Sequence, residues 1–88
     1  MTLFDFRHNN YLCSVIARHN ITNNSITSPM IHVHDPDNLG HTIVYTFSSE
    51  QEIDIDNIEQ LKYQVQNWSE LDHIVQKAAS IFSVLPPS

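Results

Sequence analysis

Glycine occurs once in the 88 residues, at position 40. It lies in the stretch HVHDPDNLGH, residues 32–41, which constrains the fold more than any other feature of the chain. The flanks MIHVH (30–34) and HTIVYTF (41–47) are rich in β-branched and aromatic residues. Between them, Pro36 presets the backbone for the second position of a type I turn, Asp35 suits the first, and Gly40 can take a positive φ without steric cost. The spacing predicts a β-hairpin. A single glycine also excludes the phosphate-cradling loops of nucleotide enzymes, which need several backbone positions without a Cβ.

The second constraint is helical. Ile58, Leu61, Val65 and Trp68 fall on an arc of about 80° of a helical wheel, and Leu71, Ile74, Val75, Ala78, Ile81, Phe82 and Leu85 on a second arc of about 120°. Continuing one helix would rotate the second stripe by roughly 120° against the first, so the helix breaks near Ser69. Two helices are predicted, 57–68 and 70–84, with Ser69 as a cap, Asp56 and Glu59 in capping-box spacing, and Pro86 and Pro87 as the stop. Ser49 and Glu52 share that spacing further upstream.

Towards the N-terminus, Leu12, Val15 and Ile16 stand at i, i+3 and i+4, with Asn9 or Asn10 as an N-cap and Asn20 as a stop, which predicts a short helix over 10–19. The run NITNNSITS lies in a predicted polar loop, 20–29, because Asn, Ser and Thr side chains compete for their own backbone. TLFDF, residues 2–6, is a candidate third strand. The expectation is one small α+β domain over 1–88: an antiparallel β-hairpin with room for a third N-terminal strand, packed against two C-terminal helices and one short N-terminal helix, with a tail at 86–88.

Ten acids against four bases leave a formal net charge of −6. Arg7, Arg18, Lys62 and Lys77 are scattered, so counterion displacement from a phosphate backbone has no massed cations to drive it, and direct nucleic-acid binding is not expected. Cys13 is alone, which excludes an internal disulfide and fits a reducing, cytoplasmic setting. MTLFDFRHNN lacks a basic lead and a long apolar run, and no stretch approaches the roughly 18 apolar residues of a membrane span. Two N-glycosylation patterns, at Asn20 and Asn23, read as loop residues.

Three of the six histidines, His32, His34 and His41, flank the turn. Pairing His34 with His41 across the hairpin sets His32 opposite Ile43 and Met30 opposite Tyr45, and puts all three imidazoles on one side of the ribbon beside Asp35 and Asp37. Zinc accepts such a ligand set with an open fourth position. A one-residue change of register dissolves the cluster. The opposing expectation is no cofactor, with the histidines at the wet end of a half-buried face. An EF-hand reading fails, because its fifth and twelfth positions would be Leu39 and Thr46.

Catalysis finds no support. Cys13 and His19 are six apart and diverge on a helix, and the dense carboxylates of EQEIDID lack the separation of environments that acid and base roles require. The chain is therefore not expected to be an enzyme. What remains is Glu50, Glu52, Asp54, Asp56 and Glu59 within ten residues that hold no base. Tyr63 lies about 140° from Ile58 on the wheel, outside the apolar arc. Exposed carboxylates steer a basic partner and an aromatic ring anchors it. By size and charge the chain parallels stoichiometric inhibitors, immunity proteins and antitoxins of phage or mobile-element type, an analogy of composition alone. The alternatives are a metal-binding protein using the histidines and a homodimer joined through the hairpin edge.

Overall fold

In the computed structural model, residues 1–38, 40–47 and 53–86 are described. The chain turns first at Asn9 and Asn10, whose φ values of 50° and 70° are both positive. Two successive left-handed residues are what a two-residue type I′ hairpin demands, and asparagine reaches that region more readily than other non-glycine residues. The turn joins β1, Thr2–His8, to β2, Tyr11–Asn20. The short helix expected over 10–19 is thus replaced by the second turn residue, Asn10, and the strand that follows it. TLFDF does form the further N-terminal strand, running on to His8.

The second turn occupies 21–24, with Asn24 at φ 54°, and β3 spans Ser25–His34. The polar loop is therefore shorter than 20–29, because residues from Ser25 onwards enter the ladder. Ile16 pairs with Met30 and Arg18 with Thr27, so Ser28 and Pro29 together oppose Ala17 as a bulge. Ser28 takes a φ of 55° there. Pro29, which has no N–H to donate, is tolerated at such a bulge, and its carbonyl accepts from Phe47 N at 3.1 Å.

The expected hairpin joins β3 to β4, Thr42–Thr46. Asn38 N donates to Asp35 O at 3.4 Å across Pro36, which sits second in that turn as expected. Gly40, in contrast, has no positive φ; its N–H donates to Asn38 Oδ1 at 3.2 Å. A two-residue β5, Ile53–Asp54, pairs with Ser25 and Ile26 at the start of β3. The sheet order is β1-β2-β3-β4, all antiparallel.

One sheet face is covered. Phe6, Cys13, Val15, Ala17, Ile31 and Val33 point to a core completed by α1, Ile58–Gln66, and α2, Leu71–Val84. A 3-10 turn over Ile55–Asn57 leads into α1. The helix break falls at 67–70, where Asn67 N and Nδ2 both donate to Tyr63 O. Neither helix has a side-chain cap: Asn57 precedes α1 and Glu70 precedes α2, so the capping roles expected of Asp56 and Ser69 are not taken. Of the second apolar arc, Leu71, Ile74, Val75, Ala78 and Phe82 are buried, while Ile81 and Leu85 stay exposed. Among the described residues no helix is long and apolar enough to cross a membrane.

Candidate functional site

The 3-10 turn opens on Asp54, whose Oδ1 accepts from Asp56 N at 3.0 Å. The bond caps the 3-10 turn, and Asp54, Asp56 and Glu59 are all exposed to solvent. Tyr63, one turn further on, is 69% exposed. Glu50 and Glu52 lie outside the described residues. Among the described residues, the carboxylates in ion pairs are Asp72 and Asp35, and both partners are histidines. No lysine or arginine therefore neutralises Asp54, Asp56 or Glu59.

The hairpin separates the three histidines. His34 pairs with Thr42, His32 with Val44 and Met30 with Thr46, one residue away from the register that places His34 against His41. His32 and His34 consequently share the sheet face that the helices leave open, while His41 turns towards the core side, where its Nδ1 lies 3.5 Å from Asp35 Oδ2. No group of three or more His, Cys, Asp or Glu side chains with metal-holding geometry occurs among the described residues.

On the open face, His34 Nε2 is hydrogen-bonded to Ser14 Oγ at 3.2 Å and its Nδ1 to Thr42 Oγ1 at 3.1 Å. Hydroxyl and imidazole have the connectivity of a nucleophile and its base. The third member, however, is a neutral hydroxyl, which offers no negative charge to hold an imidazolium. The network thus reads as a polar cross-strand tie across β2, β3 and β4. His32 beside it is shielded: its Nε2 is buried and has no hydrogen bond among the described residues. Burial, and then the neighbouring His34, push its pKa below the usual histidine range.

At the other side of the β3–β4 turn a cavity of about 310 Å3 opens between the turn and the end of α2. Asp35, Asp37 and His41 form its polar wall, and Tyr11, Phe82 and Leu85 its apolar wall. Asp35 is drawn inwards because its Oδ1 accepts from Asp37 N at 2.9 Å, an Asx turn that closes the loop start. Sequence reasoning missed this cavity. The Asp35-Pro36-Asp37 signal was legible as a turn, but the docking of α2 beneath it depends on tertiary packing.

No family model, curated protein or solved structure matches the chain.

Proposed function

We propose that the protein is a binding module for a basic protein partner, contacted through Asp54, Asp56, Glu59 and Tyr63 and acting as a stoichiometric inhibitor or immunity-type protein in the cytoplasm. The observation that carries this reading is the set of exposed carboxylates that, among the described residues, have no lysine or arginine partner, beside a 69%-exposed tyrosine. Unneutralised like charges in one short segment repel one another, and a cationic surface relieves that repulsion while accelerating encounter.

Affinity capture from the native source followed by mass spectrometry identifies the partner. Charge reversal then tests the surface. Asp56→Lys with Glu59→Lys is the cleaner pair, because the Asp54 carboxylate also closes the 3-10 turn. The reversed protein is expected to keep its circular dichroism and melting transition while associating on the order of tenfold more slowly at low salt. Unchanged association would sink the proposal.

A second reading, a homodimer through the hairpin edge, draws on a separate observation: among the described residues β4 ends the sheet, and its sequence TIVYT holds no charged residue. Uncharged edges invite pairing.

A further inference from the structure

We infer that the cavity under the β3–β4 turn is a binding site for a guanidinium group. Asp35 is 7% exposed, and a carboxylate so far removed from water needs compensation on both oxygens. Oδ1 has it, from Asp37 N. Among the described residues Oδ2 meets only His41 Nδ1, at 3.5 Å, beyond a good hydrogen bond. That imidazole nitrogen is itself buried without a hydrogen bond from any described residue. The lining carries two carboxylates, the buried Asp35 and the solvent-exposed Asp37, and neither lysine nor arginine, so it is acidic.

The remaining walls favour the same kind of ligand. The last turn of α2 carries no basic residue, so its carbonyl end, the negative pole of the helix, is not offset locally. Tyr11 and Phe82 stack with ring centroids 6.3 Å apart and planes inclined by 22°, giving the cavity a flat aromatic side. A volume of about 310 Å3 far exceeds a bare metal ion and suits a side chain. A guanidinium meets every part of this description: it is planar, stacks on aromatic rings, and forks two parallel N–H donors onto a carboxylate. A lysine ammonium is compact, more strongly hydrated and cannot fork in a plane.

This site stands apart from the surface proposed above. Asp54 pairs with Ser25 at the start of β3, whereas Asp35 follows its end, so about 30 Å of strand separates them. The test is a titration of the full chain, labelled with nitrogen-15, against N-acetyl-argininamide, its citrulline counterpart and its lysine counterpart. Saturable shifts of the Asp37, His41 and Leu85 amides are expected with arginine, weaker ones with lysine and none with citrulline. Asp37→Asn is expected to weaken arginine binding about tenfold. The turn uses the backbone of Asp37 and not its carboxylate, so this variant keeps the fold. Asp56→Lys with Glu59→Lys should leave the shifts intact, which separates failure of this site from failure of the other. Arginine within a glycine-flanked peptide distinguishes the sources: tighter binding than the free derivative assigns the pocket to a partner's side chain, and equal or weaker binding assigns it to a small guanidino compound. Either result supports the guanidinium site. Equal shifts with citrulline, stronger binding of lysine, or no shift at tens of millimolar, roughly the weakest single-residue affinity worth the name, would overturn it.

Discussion

Cys13 shows what one position in the middle of a covered sheet does to a reactive group. Its side chain is fully buried, and burial pushes the thiol up from 9.0 to about 11. At pH 8 that rise leaves about a hundredfold less thiolate than the unfolded chain holds. Because the thiolate is the nucleophile, alkylation by iodoacetamide at pH 8 is expected to be slow in the folded protein and to accelerate with urea in step with unfolding followed by circular dichroism. Rapid modification without denaturant would place Cys13 at the surface. The expectation that placed this cysteine on a helix failed. YLCSVIA is a nearly continuous apolar run that fits period 3.6 through Leu12, Val15 and Ile16 and period 2 through Cys13, Val15 and Ala17. Leu12 and Ile16 stand on the face the helices leave open, so apolar residues occupy both faces of β2 and the alternation that would decide between the two periods is blurred. Asn9-Asn10 did not decide between them either, because the pair serves a type I′ turn as well as a helix cap.

At the scale of elements, α2 is held at both ends by turns of the sheet. Its first turn meets the β1–β2 turn, where Asp72 Oδ1 accepts from Asn9 Nδ2 at 2.7 Å and is hydrogen-bonded to His8 Nε2 at 3.2 Å. Its last turn borders the β3–β4 turn and its cavity. The bonds from His8 and then from Asn9 hold the Asp72 carboxyl below its ordinary value of 3.8. A depressed carboxyl stabilises the fold above the unfolded value and loses that contribution as pH falls through the folded one, so the tie acts at neutral pH and fails in acid. Asp72→Asn is expected to lower the urea midpoint at pH 7 and to leave a shallower loss of stability below about pH 4, where the parent carboxyl becomes protonated. Parallel acid limbs for parent and variant would show that the tie contributes nothing. The two helices themselves were legible because their apolar arcs are long and out of phase. The register of the hairpin was not, since seven residues, 35–41, separate the strands and loops of that length permit more than one pairing. That single register step is what parts His41 from His32 and His34.

At the scale of the whole molecule, charge and edge make opposite demands on solution conditions. The formal net charge of −6 repels a second copy but attracts a basic partner, and salt screens both effects over a Debye length of about 10 Å at 0.1 M. Pairing of two β4 edges draws on backbone hydrogen bonds and on TIVYT, none of which is charged, so raising salt removes only the repulsion. Docking of the acidic surface on a cationic protein loses its steering as salt rises. The sign of the salt dependence therefore assigns each complex to its surface. Between about 0.05 and 0.5 M sodium chloride, association with the captured partner is expected to slow on the order of tenfold, as measured by stopped-flow fluorescence of Trp68. Over the same range light scattering of the isolated protein should show a constant monomer mass, or, if β4 pairs, a mass rising towards two chains. Dimerisation that weakens with salt would mean that the acidic segment itself holds the copies together, against Arg7, Arg18, Lys62 or Lys77 of the second molecule, and the exposed carboxylates would then have found their cations in another copy of the same chain.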